Sequence, residues 1–414
     1  MPISNTLTGQ ESTVSARAID LTNFRVATTK TARDINRRIV LNLIRKHQPI
    51  SRAELSRRTR LQRSTVSAIT EQLIAERWVT TGTFGDPPRG RKPAFFQLNG
   101  SRAGIIGVDI RPGATSIVLA DLDMRFLAQE AMPTNPDPRQ FVGELGGRLE
   151  RLRKTHANIT VEGIGVAVPG RVDLATNRLV FAPNLGWKAI DFRKPLEAAT
   201  GLPVELENAA NACALAEFWG GFHAAEVRNL VAVTVSEGIG VGMILNGQLI
   251  RGTSGMAGEF GHVTILEVGP LCKCGNRGCF EVCASNTAAG RYFKAAGFDQ
   301  GQKAAAGAAS FDFILKMAEQ GDRHAGEALE RMAHFLGVGL AMIISGLAPD
   351  VIVVVGEITQ AWKRLGPIVG EVVRNRVSTK ATVRILPGTS GGQSRLQGAI
   401  ALVLQKHFGA FDGI

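Results

Sequence analysis

"GIIGVDIRPGATSIVLADLDMRFLAQEAMP", Gly104 to Pro133, carries three apolar runs divided by short polar breaks. "GIIGVDI", "ATSIVLADLD" and "RFLAQEAMP" are aliphatic and too short for ordinary helices, which predicts three consecutive strands joined by tight turns. A helical stretch from Arg139 to Thr155 follows, then a strand at "TVEGIGVAV" (160–168). The same order returns further along. "NLVAVTV" (229–235), "GIGVGMILNG" (238–247) and "QLIRG" (248–252) read as three strands, with Asn246-Gly247 marking a two-residue hairpin turn. "GVGLAMIISGLAPDVIVVVG" (337–356) then supplies a helix and a buried strand. A repeated strand-strand-strand-helix-strand unit predicts two similar α/β lobes, and lobes of this kind hold a ligand in the cleft between them. Glycines stand at the strand ends: Gly113, the run Gly238 to Gly242, and Gly356. Such loops either cradle phosphate with backbone N–H groups or only make tight turns.

With 414 residues, 44% of them hydrophobic, the chain has material for two or three cores. The apolar stretch Val338 to Val355 is broken by Ser345, Pro349 and Asp350, so it reads as a core helix and strand rather than a membrane span. No signal peptide is recognisable, and the expected location is the cytoplasm.

The net charge of +12 is unevenly placed. Residues 31–100 hold 14 Lys and Arg against 5 Asp and Glu, a net of +9, while 101–414 hold 31 against 29. A basic segment joined to a nearly neutral remainder points to nucleic acid. Residues 1–28 are polar and read as a flexible arm. From Thr31, Ile35, Ile39, Val40, Leu43 and Ile44 share one helical face. Ser51 and Glu54 in "PISRAELSRR" fit a capping box that opens a second helix. "RSTVSAITEQLIAERW" gives a third, with Val66, Ile69 and Leu73 inward. Two short helices around a tight turn make a helix-turn-helix whose second helix enters the major groove by its first turns. "WVTTGTF" and "AFFQLN" then read as strands flanking the basic tip "GDPPRGRKP", the pattern of a wing. The candidate DNA contacts are Arg52, Gln62, Arg63, Ser64, Thr65 and Ser67, with Arg89, Arg91 and Lys92 on the wing.

Four of the five cysteines, 272, 274, 279 and 283, cluster behind His262. A disulfide framework would spread them, so a metal site is the better reading. Two ligand sets fit a closed four-coordinate zinc: His262 with Cys272, Cys274 and Cys279, or the four cysteines alone. Cys213 reads as a small core residue on a helix.

The segments "GIGVAVPGRVD" (163–173), "APNLGW" (182–187), "ENAANACALAE" (207–217), "GTSGMAGEFGH" (252–262) and "CKCGNRGCFE" (272–281) together resemble the ROK family of sugar kinases and transcriptional repressors. The resemblance spans residues 30–410. It implies a two-lobed actin-like, ribonuclease-H-like ATPase fold of the α/β class, preceded by an N-terminal winged helix-turn-helix domain. The implied division is an arm over 1–28, a DNA-binding domain over 29–100 and a kinase-like body over 101–414, with lobes at about 101–228 plus the C-terminal helix and about 229–390. By the same resemblance Gly170, Asn184, Asn208, Glu259, His262 and Glu281 line a sugar pocket. The resemblance also implies a structural Zn2+ on His262, Cys272, Cys274 and Cys279.

At the positions that carry catalysis the chain departs from the kinases. Their general base, an aspartate after the pocket asparagine, is Ala209 here, and a methyl group accepts no proton. Their first phosphate loop, D-x-G-G-T, is Asp109-Ile110-Arg111-Pro112-Gly113, where Pro112 lacks a backbone donor. Their second, G-T-G, is Ser236-Glu237-Gly238, which brings a carboxylate toward phosphate. The adenine-side glycine run is reduced to Val355-Gly356-Glu357. Asp109 remains as a lone acid, expected to serve as a turn acceptor. The expected function is therefore a sugar-responsive DNA-binding regulator, a repressor acting as a homodimer or homotetramer on operator DNA. Its body would be an inactive kinase homologue. The alternative is an active ATP-dependent sugar kinase with a regulatory head.

Overall fold

The three strands anticipated between Gly104 and Pro133 are present, and so is their repeat. The computed structural model describes residues 28–82, 94–173, 176–220, 227–297, 310–378, 383–388 and 392–408. The expected arm and the wing residues Arg89, Arg91 and Lys92 lie outside the described residues. The chain divides into two compact units: one takes the chain up to Leu73, Thr81–Gln97 and Phe408, the other Ile74–Thr80 and Leu98–His407.

The smaller unit begins with α1 (Thr29–His47), then β1 (Ile50–Ser51), α2 (Arg52–Thr59), α3 (Arg63–Ala75), β2 (Val79–Gly82) and β3 (Phe95–Leu98). The strands form a sheet in the order β1-β3-β2. Val40, Ile44, Val66 and Leu73 are fully buried as the spacing predicts, but on α1 Leu41 enters the core while Ile39 is 44% exposed and Ile35 and Leu43 are half-buried, so the inward face is rotated from the expected one. Helix starts differ in one detail from expectation. Ser51 Oγ accepts from Glu54 N at 3.2 Å, but the Glu54 carboxylate turns to Arg57 and Arg58, so the box is half made. The reciprocal box belongs to α1, between Thr28 and Thr31, where threonine takes the role usually given to glutamate. Arg60 ends α2 in the left-handed conformation and makes the turn tight.

The larger unit starts with β4 (Ala103–Ile110), β5 (Ala114–Asp121), β6 (Phe126–Pro133), α4 (Pro138–Thr155) and β7 (Thr160–Val168). A small antiparallel sheet follows: β8 (Arg171–Asp173), β9 (Arg178–Ala182) and β10 (Trp187–Ile190). Then come α5 (Arg193–Thr200), β11 (Val204–Asn208) and α6 (Ala209–Gly220). The second half has β12 (Leu230–Val235), β13 (Ile239–Leu245), β14 (Gln248–Ile250), α7 (Phe280–Ala284), α8 (Asn286–Ala295), α9 (Phe311–Glu319), α10 (Arg323–Leu347), β15 (Val351–Gly356), α11 (Trp362–Arg376), β16 (Arg384–Pro387) and α12 (Ser394–Phe408).

The two five-stranded sheets have the orders β11-β7-β4-β5-β6 and β14-β13-β12-β15-β16. Numbered within each half, both run 3-2-1-4-5, so the repeat seen in the sequence is a repeat of topology. Asn246 (φ 52°) and Gly247 (φ 75°) both take positive φ, as a two-residue hairpin turn of this hand requires. β4 is buried along its whole length, and its Gly107 lets α12 lie against the sheet beside Leu396 and Ile400. Gly165 on β7 does the same for the Ala399 carbonyl. The long helix α10 is apolar enough to cross a membrane by composition, yet 61% of that window is buried inside the second half's core.

Candidate metal centre and the cleft beside it

After β14 the chain runs through a glycine-rich loop to a short 3₁₀ turn, Glu259–His262, and onward to the cysteines. His262, Cys272, Cys274 and Cys279 present ligand atoms that all lie within 4.8 Å of one another. Cys272 Sγ is 3.6 Å from His262 Nδ1, and Cys274 Sγ is 3.6 Å from Cys279 Sγ. Gly278 takes positive φ where any Cβ would run into the Leu266 carbonyl, so glycine is what lets the knuckle close. Cys283, on α7, is not part of this group, so of the two ligand sets the geometry favours the one with histidine. The three thiols are not alike: burial raises Cys272, while a backbone hydrogen bond at Asn276 lowers the exposed Cys274. Burial, followed by hydrogen bonds to Cys274 and Cys272, pushes Cys279 up to about 12. A bound cation reverses that preference, because thiolate is the ligating form. One histidine and three cysteines, with no open position, fit structural zinc.

Beside this centre the predicted pocket residues fall into two groups. Glu259 is exposed and approaches His262 Nε2 at 3.8 Å. Glu281, on the first turn of α7, accepts from Ile239 N at 3.1 Å and lies against Gly238, so the metal loop is fastened to the start of β13. Across the cleft, Asn208 caps α6. Its Oδ1 accepts from Ala210 N at 2.8 Å, and its Nδ2 donates to Gly170 O at 2.6 Å. One Nδ2 hydrogen is left over from these bonds. Gly170 (φ 114°) must be glycine, since a Cβ would strike the backbone at Phe181 and Ala182. Asn184 is exposed in the turn between β9 and β10. In "APNLGW" the tryptophan works for the core: Trp187 is buried against Phe141 and Phe192 and donates Nε1–H to Pro136 O.

Ala209, in the base position, is buried at the start of α6. The neighbouring carboxylate, Glu207, is fully engaged. Oε1 accepts from Asn208 N (2.8 Å) and Asn211 Nδ2 (2.9 Å), and Oε2 pairs with Arg251 Nε at 2.7 Å.

Asp109 corrects the sequence expectation. It is no turn acceptor but a buried ion-pair centre, 1% exposed. Arg111 Nε lies 2.6 Å from Oδ2, and Arg395 Nη1 stands 4.0 Å from the otherwise unpartnered Oδ1. Burial works against the Arg111 charge, but Asp109 outweighs it and raises the guanidinium pKa. Arg395 also reaches Ser236 Oγ at 3.5 Å, and Glu357 accepts from Asn286 Nδ2 at 2.9 Å. Cys213 sits in this neighbourhood, its thiol pushed up to about 12 first by burial. The roles of Glu207, Arg251 and Arg395 are absent from the sequence reading. Glu207 lies inside a quoted motif, but nothing in the chain pairs it with a residue 44 positions away.

Residues 105–406 match the ROK family, and residues 33–80 match the winged helix-turn-helix DNA-binding family. The chain belongs to the ROK family. It is 30% identical over 385 residues to the xylose repressor of Bacillus spizizenii, covering 90% of this chain and 96% of that one. Among solved structures, a ROK family transcriptional regulator described as a homologue of the E. coli MLC protein superposes with a TM-score of 0.79 at 26% identity, covering 91% of this chain and 98% of that one. The ROK glucokinase of Streptomyces griseus, in complex with glucose and AMPPNP, gives 0.66 at 28% identity over 73% of this chain and all of that one. The fraction covered separates the two: the kinase matches a body, the regulator matches head and body together.

Proposed function

We propose that this ROK protein is a sugar-responsive, DNA-binding transcriptional repressor whose kinase-like body senses a sugar without phosphorylating it. The observation that carries the second half is Ala209 beside a Glu207 with no free oxygen. General-base assistance is worth about 10²–10⁴ in rate, and the chain offers no carboxylate at that place. The first half rests on the helix-turn-helix match over 33–80 and on the repressor relative. Gln62, Arg63 and Ser64 are exposed at the start of α3 and are the proposed base-reading residues, with Thr65 and Ser67 half-buried beside them. Arg52 stacks on Phe96 and is better suited to a phosphate than to a base edge.

In this reading 29–100 is the DNA-binding domain and 101–414 the sensor. The pocket is Gly170, Asn184, Asn208, Glu259, His262 and Glu281, and the centre of His262 and three cysteines holds a structural zinc. The protein acts in the cytoplasm as a homodimer or homotetramer. A sugar shifts DNA occupancy by as much as its affinities for the two states differ, on the order of 1–3 kcal/mol. The test is a panel of sugars, D-xylose and D-glucose first, scored for thermal stabilisation and for release of selected operator DNA. Release by a sugar is the expected result. Release by ATP alone, with no response to any sugar, would overturn it. The kinase alternative is decided by coupled ATP consumption: turnover that disappears in Glu259→Ala would establish it. Arg63→Ala is expected to weaken operator binding by about 1–3 kcal/mol and to relax specificity at the base it reads.

A further inference from the structure

Glu207 and Arg251 form an enclosed ion pair beside the metal centre, with side chains 3% and 27% exposed. Their positions in the topology are what matter. Glu207 is on β11, the edge strand of the first sheet, and Arg251 follows β14, the edge strand of the second. The pair therefore ties the two edges of the duplicated body together beneath the cleft. Each partner is also fastened to a pocket element. Glu207 Oε1 holds the Asn208 backbone N–H and the Asn211 side chain, fixing the first turn of α6. The Arg251 carbonyl accepts from Ala257 N at 2.9 Å and closes the loop that delivers Glu259. Along that loop Gly258 rests against the Val241 carbonyl of β13 and Gly255 against the Val172 carbonyl of β8, so it touches both halves.

We infer that Glu207 and Arg251 are the positioning pair of the ligand cleft: they set Asn208 on one half in register with Glu259 on the other. The inference rests on the sugar-sensor reading for its ligand but not for its geometry. Neither residue need touch the sugar. The Glu207 carboxylate is consumed by Arg251 Nε, the Asn208 backbone and the Asn211 side chain, and a preorganised pocket binds more tightly because less ordering remains to be done on binding. Lysine at 251 would keep the charge but as a point charge, without the planar group that directs Nε at Glu207.

The test uses the full-length, zinc-loaded protein with Arg251→Met, Arg251→Lys and Glu207→Gln. D-glucose and D-xylose affinities are read from ligand-dependent melting shifts, and hydrogen exchange is followed without sugar. Arg251→Met is expected to weaken the responding sugar at least about tenfold, as truncation of one partner of a buried charge pair does. Arg251→Lys should recover part of that loss. Exchange should quicken in 208–212 and 252–262 while β12 and β15 keep wild-type protection, and selected operator DNA should bind as before. Wild-type sugar affinity in Arg251→Met would overturn the inference. So would exchange that quickens evenly across the body, the mark of a merely structural pair. If no sugar stabilises the wild type, the sensor reading fails, and the exchange pattern alone then decides for or against the pair.

Discussion

The two ends of the cleft have treated their charged groups in opposite ways. At the metal end the ion pair Glu207–Arg251 is enclosed, while Glu259 is exposed and His262 half-buried. At the other end the pair sits on the strand terminus itself. Arg111 folds onto Asp109, Arg395 approaches from α12, and Glu357 is taken by Asn286. At the first end Glu259 stays exposed, while at the second Asp109, Arg111 and Glu357 are committed to side-chain partners. In a kinase the second end must leave backbone donors and an open seat for phosphate. Here a guanidinium fills that neighbourhood and Pro112 offers no donor. A duplicated fold needs something to hold its halves where nucleotide would, and side chains of this chain meet across that place. In the proposed reading, binding and catalysis part company because they depend on different ends of the duplicated body.

The largest expected effect comes from destroying the metal end. Cys279 is fully buried within the group formed with His262, Cys272 and Cys274, and Cys279→Ser, or chelation of the wild type, should release the loop between Glu259 and Glu281. Sugar-dependent stabilisation is expected to vanish completely, while selected operator DNA is still bound at wild-type affinity in a mobility-shift titration. Parallel loss of both would mean that the metal end supports the whole chain rather than the pocket, and the contrast between the ends would fail.

Removing the carboxylate at the other end should cost stability instead of response. Asp109→Ala leaves two guanidinium groups without their shared partner, and breaking a buried pair from one side costs about 3–5 kcal/mol. Arg111→Ala should cost much less, because that side chain is 40% exposed and its charge is screened by solvent. Urea unfolding of the two variants measures the difference. Cys213 provides a second gauge. Its thiol pKa of about 12 means almost no thiolate at pH 8, so it should resist alkylation in the folded wild type and become labelled as Asp109→Ala loosens its surroundings.

How much of this is readable from the chain depends on whether the information is local. The three-strand runs, the Asn246-Gly247 turn and the spacing of His262 from its three cysteines are local patterns, and each appears where the sequence puts it. The fifth strand of each sheet escapes notice. Val204–Asn208 is short and directly continuous with a helix, and Arg384–Pro387 is a four-residue edge strand with no alternation to betray it. Asp109 misleads for the same reason. As a lone acid at a strand end it looks like a turn residue, and only the return of α12 brings Arg395 to it. Nor can the ligand set be fixed by counting, since His262, ten residues before the cysteines, and Cys283, four after Cys279, both lie within reach of the cluster. Three-dimensional closure admits one and buries the other on α7.

The smallest expected effect is also the sharpest test of the contrast. If the metal end is intact and only a base is missing, Ala209→Asp should awaken phosphoryl transfer. The structure argues that it will not. The new carboxylate would stand beside Glu207, whose oxygens are already committed to Asn208, Asn211 and Arg251, and general-base help acts only on a phosphate that is held in place. The far end offers that phosphate a guanidinium locked onto Asp109, no N–H at Pro112, and exposed Glu237 on the second loop. ATP consumption by Ala209→Asp with D-glucose or D-xylose should therefore stay at the background of the wild type, with sugar affinity changed little. Adding Arg111→Gly and Pro112→Gly should first produce nucleotide-dependent thermal stabilisation, and only in that background should the restored aspartate matter. Turnover from Ala209→Asp alone would show that the two ends are not independent in the way their ion pairs suggest.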